Sequence, residues 1–139
     1  MDLTNQPAGE LEGFHSALTD VDLTGNRLVS LPPQLVSLTR IKRLGLRQNL
    51  LGQDRSSLSV LSSLCTLDSL DLYDNELRHC PNVSYLDALT MLDLSFNAIK
   101  DVEHVLPLTN LTELYLANNK ISTMEGLHTL TNLTTLELG

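Results

Sequence analysis

The chain has no tryptophan, three tyrosines and two phenylalanines, so any core must be built from aliphatic side chains. It has two cysteines, Cys65 and Cys80. They form no terminal cluster of the kind that closes extracellular repeat arrays, which points to a reducing compartment. Basic residues are scarce: nine against 17 acidic ones, for a net charge of −8. The imbalance is local. Residues 1–60 hold six of each sign, whereas residues 61–139 hold three basic and eleven acidic side chains. An acidic half argues against a phosphate backbone as ligand, so no nucleic-acid partner is expected. The one basic cluster, Lys42, Arg43 and Arg47, reads as a solvated or partner-facing patch. No apolar run is long enough to span a bilayer. The opening Met1-Asp2-Leu3-Thr4-Asn5-Gln6 has neither the basic flank nor the apolar stretch of a secretory signal. The chain is therefore expected inside the cell and off the membrane. The N-x-[ST] matches at Asn82, Asn110 and Asn132 read as by-products of recurring wording rather than glycosylation sites.

What the sequence has in abundance is leucine, and it is periodic. Asn26, Asn49, Asn75, Asn97 and Asn119 are separated by 23, 26, 22 and 22 residues. Each sits in the frame L-x-x-L-x-L-x-x-N-x-L. The third repeat shows it fully, with Leu64, Leu67, Leu70, Leu72, Asn75 and Leu77. A further unit begins with Leu130, Leu133, Leu136 and Leu138. A period of 20 to 29 residues in this frame is the leucine-rich repeat, which one unit cannot stabilise alone and which must stack. The expected fold is α/β: a curved leucine-rich repeat solenoid with a parallel β-sheet on its concave face. Between asparagine and next strand the apolar marks fall three apart, as in Ile99, Val102, Val105, Leu108 and in Ile121, Met124, Leu127, Leu130. That spacing predicts short helical or 3₁₀ returns on the convex face. Residues 1–13 read as a flexible or partial N-terminal lead. Residues 14–139 read as the repeat domain: five repeats and the start of a sixth, without a C-terminal cap.

The asparagines form an expected structural ladder. Where the chain leaves the strand and turns inward, backbone groups lose their sheet partners. A buried amide side chain both donates and accepts, so it can satisfy them. Two irregularities break the period. The return through Leu31-Pro32-Pro33-Gln34-Leu35 is one residue longer than the later returns. Between Asn49 and Asn75 there are four surplus residues, expected as a convex bulge within 52–57.

Residues flanking and between the strand leucines should line the hollow. The middle column reads Asp22, Gly45, Asp71, Asp93, Tyr115, Glu137. This is a carboxylate stripe interrupted by an exposed aromatic, suited to a protein partner with a basic surface. Asp71, Tyr73, Asp93, Glu113, Tyr115 and Glu137 are the candidate partner-binding residues. No nucleophile elbow, phosphate-cradling glycine loop or metal-ligand motif is present. His79, His104 and His128 fall at different offsets from their asparagines and form no column, and His15 precedes the first repeat. No catalytic residue, metal or cofactor is expected.

The wording inside the repeats is more specific than the period. Leu46-Arg47-Gln48-Asn49-Leu50, Leu70-Asp71-Leu72-Tyr73-Asp74-Asn75, Leu92-Asp93-Leu94-Ser95-Phe96-Asn97, Asn118-Asn119-Lys120-Ile121-Ser122 and Leu136-Glu137-Leu138-Gly139 resemble the protein phosphatase 1 regulatory subunit 7 family. The resemblance runs from about residue 18 to residue 139. It implies a regulator in nucleus and cytoplasm that binds the catalytic subunit of protein phosphatase 1 through the concave face. It implies Asp93, Tyr115 and Glu137 as contact positions, with Tyr115 where the family usually has phenylalanine. Short intracellular arrays of this repeat type also serve as scaffolds in axonemal, cytoskeletal or spliceosomal assemblies, and periodicity alone fits both roles.

Overall fold

The computed structural model describes residues 17–139, and the expected lead over 1–13 lies outside the described residues. Six strands, each of three residues, form one parallel sheet in sequence order: β1 (Asp20–Asp22), β2 (Arg43–Gly45), β3 (Ser69–Asp71), β4 (Met91–Asp93), β5 (Glu113–Tyr115) and β6 (Thr135–Glu137). The register is exact from repeat to repeat, so that Leu44, Leu70, Leu92, Leu114 and Leu136 follow one another on adjacent strands. Alternation along each strand sends these leucines inward and their neighbours into the hollow.

Four of the five returns carry a 3₁₀ segment, as the three-residue spacing predicts, and the return between β3 and β4 has turns alone. The 3₁₀ segments run over Pro33–Ser37, Arg55–Ser63, Glu103–Val105 and Leu127–Thr129. Pro33 opens the first, where its missing N–H is not needed. The core lies between sheet and returns. Leu44, Leu70, Leu92 and Leu114 meet Leu61, Val83, Val105 and Leu108 there, all essentially inaccessible to water. Burying a leucine contributes about 1.5–3 kcal/mol, so stacked layers, not local propensity, hold the solenoid together. Cys80 occupies a core slot with Val83, as the frame requires.

Two expectations need correction. The surplus between Asn49 and Asn75 does not simply bulge. It feeds a nine-residue 3₁₀ helix, Arg55–Ser63, whose start is capped by the Asp54 carboxylate accepting the Ser56 N–H at 3.1 Å. Leu58 and Leu61 are spaced to drop into the core, so lengthening the helix buries more apolar surface than an open loop would. Met124, assigned to a core slot, is 55% exposed. The next expected mark, Leu127, is buried after Gly126, whose left-handed φ is +87°. In the last strand Leu136 and Leu138 are 43% and 40% exposed.

Candidate functional site

The turn that follows each strand determines what the hollow presents. Asn49 shows the ladder working. Its Oδ1 accepts the backbone N–H groups of Asn26 at 3.1 Å and Leu28 at 2.9 Å. Its Nδ2 donates to the carbonyls of Leu23 at 3.0 Å and Leu46 at 2.9 Å. Asn97 repeats the pattern with Asn75 and Leu77 as donors and Leu72 and Leu94 as acceptors. Asn119 accepts from Ile99 and donates to Leu94 and Leu116. Asn26, at the first repeat, is exposed, and its side chain bonds within its own turn, to Leu23 and Thr24. Asn75 is fully buried and donates to Leu46 and Leu72, yet its Oδ1 has no partner. This falls where the extra residues follow Leu51. There the Gly52 N–H reaches the Asn75 carbonyl at 2.9 Å and Glu76 is turned into the left-handed region at φ +60°.

Every ladder asparagine is preceded by a left-handed residue: Gly25, Gln48, Asp74, Phe96 and Asn118. This requirement was not read from the sequence. Glycine, aspartate and asparagine accept it readily, but a phenylalanine does not. Phe96 is held there at φ +57° with its side chain 46% exposed.

The middle column forms one row. Asp22, Gly45, Asp71, Asp93, Tyr115 and Glu137 are paired in register on adjacent strands. The row is less open than expected at its centre. Asp71, Asp93 and Tyr115 are half-buried, while Ser95 and Ala117 beside them are buried. Tyr115 is therefore not a free aromatic: its hydroxyl donates to Glu113 Oε2 at 2.7 Å. That bond, then burial and the charges of Glu113, Asp93 and Glu137, raise the tyrosine pKa. Glu137 is exposed.

Asp71 carries the strain of the row. Burial raises its pKa, and the neighbouring Asp93 carboxylate adds to the rise. The Tyr73 N–H, donating to Asp71 Oδ1 at 3.0 Å, and Arg47 oppose it. Arg47 Nη1 reaches Asp71 Oδ2 at 3.3 Å, and its guanidinium lies 4.3 Å from the centre of the Tyr73 ring. The Tyr73 and Phe96 rings are 4.8 Å apart and tilted by 40°. Arg47, Tyr73 and Phe96 thus make a continuous cation–aromatic ledge over three repeats. Tyr73 was among the expected contact residues and Arg47 was read as part of a solvated or partner-facing patch; Phe96 was not expected. A polar residue followed by an aromatic just ahead of the asparagine was the available signal. At the N-terminal end Arg43 pairs with Asp20, in the column beside the acidic row.

Cys80 is buried, and burial pushes its thiol up to about 12, with Asp101 adding a smaller rise. His79 and His128 are exposed, and His104 is half-buried. Among the described residues no group of three or more His, Cys, Asp or Glu side chains is placed to hold a metal ion, and no helix is long and apolar enough to cross a membrane.

These features define the class: a leucine-rich repeat solenoid presenting a polar hollow. Residues 87–127 and 109–139 match the family model described as Leucine Rich repeats (2 copies). A leucine-rich repeat protein of Leptospira interrogans superposes with a TM-score of 0.83 at 24% identity, over 96% of this chain and 34% of that one. The Arabidopsis receptor kinase HAESA, solved with the peptide hormone IDA and the co-receptor SERK1, superposes with a TM-score of 0.66 at 23% identity, over 89% of this chain and 26% of that one. At such identities the likeness shows the fold alone.

Within that class, the chain is similar to a particular protein. Over 75 residues it is 41% identical to the protein phosphatase 1 regulatory inhibitor subunit PPP1R7 homolog of Arabidopsis thaliana. The match supports the resemblance carried by the repeat wording. It covers 52% of this chain and 22% of the length of that relative.

Proposed function

We propose that this chain is a non-catalytic protein-binding module that acts as a regulatory subunit, holding the catalytic subunit of protein phosphatase 1 against its concave face. The observation that carries this reading is the single row of Asp71, Asp93, Tyr115 and Glu137 on successive strands. Like charges side by side repel, and a row that keeps them costs stability. A partner with a basic surface relieves that repulsion and is drawn in by it. Tyr115 supplies a rigid aromatic near the centre of the contact, with Tyr73 and Glu113 beside it. The named relative is a phosphatase regulatory subunit, and the matching wording includes Asp93 and Glu137. Nucleus and cytoplasm are the compartments that fit this role.

The test is a quantitative pull-down of purified phosphatase 1 catalytic subunit by the chain and by the double variant Asp93→Arg, Tyr115→Ala. Capture should weaken by about tenfold or more, with the circular dichroism spectrum unchanged, since neither side chain is part of the leucine core. Equal capture by a folded double variant would overturn the reading.

A further inference from the structure

A second surface lies off the hollow, on the flank where the chain turns from sheet to convex side. A groove of about 880 Å³ lies there, and its lining includes Arg55, Arg78, Lys120, Phe96, Ala98 and Gly52. The irregularity in the repeats contributes to it. Gly52 and Arg55 belong to the surplus segment after Asn49, so that segment supplies part of the lining. The groove begins at the turn of the second repeat and ends at Lys120 in the fifth. Three strand spacings make this at least roughly 14 Å, the reach of about four residues of extended chain.

Its chemistry is opposite to that of the hollow. Residues 61–139 contain three basic side chains, and two of them, Arg78 and Lys120, line this groove. Arg55 joins them from the surplus segment. Among the described residues the ion pairs are Arg43 with Asp20 and Arg47 with Asp71, so these three exposed cations are in none. Asp74 and Glu76 line the groove as well, and His79 completes it. Glu76 is partly occupied by Gln53 Nε2 at 3.4 Å. Three cations less two carboxylates leave the lining at +1 with His79 neutral, in a chain of net charge −8.

Phe96 is the second observation. Its position in the turn is filled elsewhere by Gly25, Gln48, Asp74 and Asn118. A phenylalanine there is left-handed, exposed and costs about 1–2 kcal/mol relative to a residue that tolerates the conformation. Neither core packing nor solubility asks for it. Strained, solvent-facing aromatic residues collect at binding sites. The ring is supported from behind by Tyr73, which Arg47 in turn covers.

We propose that this flank groove is a docking site for an extended acidic segment of a partner protein, seating an apolar side chain on Phe96 with carboxylates on either side reaching Arg55, Arg78 and Lys120. The site is separate from the acidic row and stands whether or not that row binds a phosphatase. The probe is a heptapeptide with phenylalanine at its centre and three glutamates on each side, titrated into the isotope-labelled chain and followed by amide chemical shifts. Saturable shifts are expected at Gly52, Phe96, Ala98 and Lys120, with the amides of Asp93 and Tyr115 unmoved. Binding should weaken by about tenfold in Arg78→Glu and by a similar factor in Phe96→Asn, which the left-handed turn accommodates. It should be unaffected by Asp93→Arg. Shifts confined to Arg43 and Arg47, unchanged binding by both groove variants, or no saturation below about 1 mM would each overturn the proposal.

Discussion

The side-chain oxygen of Asn97 accepts the backbone N–H of Leu77 at 2.9 Å, twenty residues back along the chain. The same oxygen takes the N–H of Asn75, and the amide nitrogen of Asn97 returns two bonds to carbonyls of its own and the preceding repeat. One side chain thus bonds to backbone N–H and carbonyl groups of two repeats and joins them. Asn75, one step earlier, closes carbonyls only, because its oxygen is unpartnered.

That difference separates two otherwise identical substitutions. Asn97→Leu strands the N–H groups of Asn75 and Leu77, whereas the carbonyls that Asn75 serves keep a second amide donor, Asn49 at Leu46 and Asn97 at Leu72. Each orphaned buried group costs about 1–3 kcal/mol, so Asn97→Leu should destabilise more than Asn75→Leu by at least that amount. Urea unfolding of both variants checks it, and equal midpoints would contradict the ladder as described.

Gly52 is fixed by contact rather than by dihedral angle. A Cβ at this position would lie 2.1 Å from the Glu76 carbonyl oxygen, which is backbone and cannot swing away. Gly52→Ala should therefore push the second and third repeats apart and lower stability by about 1–3 kcal/mol. Gly25→Ala meets nothing within 4 Å and should show only the smaller cost of its left-handed φ of +72°. Thermal melts of the pair decide between crowding and backbone strain.

Asp71 gives the row a pH signature. Its folded pKa is raised, chiefly by burial and further by Asp93. The folded state therefore holds the proton more tightly than the unfolded chain. This favours folding below the ordinary aspartate range and is lost as pH rises through the raised value. Asp71→Asn should melt higher than the parent at about pH 7, with the gain shrinking toward about pH 3. The lost pairing with Arg47 offsets little, since that side chain is 45% exposed. Asp20 and Asp22 have lowered pKa values and act in the opposite sense, so the difference between variant and parent is the measurement. A difference independent of pH would refute the coupling.

The two cysteines should behave oppositely. Cys65 is exposed and Cys80 is buried with its thiol raised to about 12. Alkylation of the folded chain near pH 8 should modify Cys65 alone, and Cys80 only on unfolding, as read by peptide mass spectrometry. Modification of both at similar rates in the native chain would show that the core layer around Val83 opens.

The sequence carries the fold through residues whose role is periodic. Leu70, Leu92 and Leu114 sit at one offset from their asparagines, and so they align on the sheet. The acidic row follows directly, because a strand that turns its leucines inward must turn Asp71 and Asp93 outward. What periodicity cannot carry is the interaction of neighbours. The bond between Tyr115 and Glu113 depends on a rotamer, not a spacing. The left-handed turns were hidden because Gln48 and Phe96 are not residues that ask for such a backbone; the ladder asparagine imposes it from the next position. Met124 and Leu127 both matched the three-residue spacing, but only Leu127, which follows the left-handed turn at Gly126, reaches the core. The fate of the four surplus residues rested on whether Leu58 could reach the core, which no local pattern states.

Because each strand touches only its two neighbours, the widened return at Gly52–Ser57 leaves the spacing of β3, β4 and β5 intact. Length changes in a single connection can therefore remodel the side wall of this protein while its inner curve stays constant. The architecture separates two design problems that a globular core would couple: one surface can diverge quickly, and the other can be held to an existing partner.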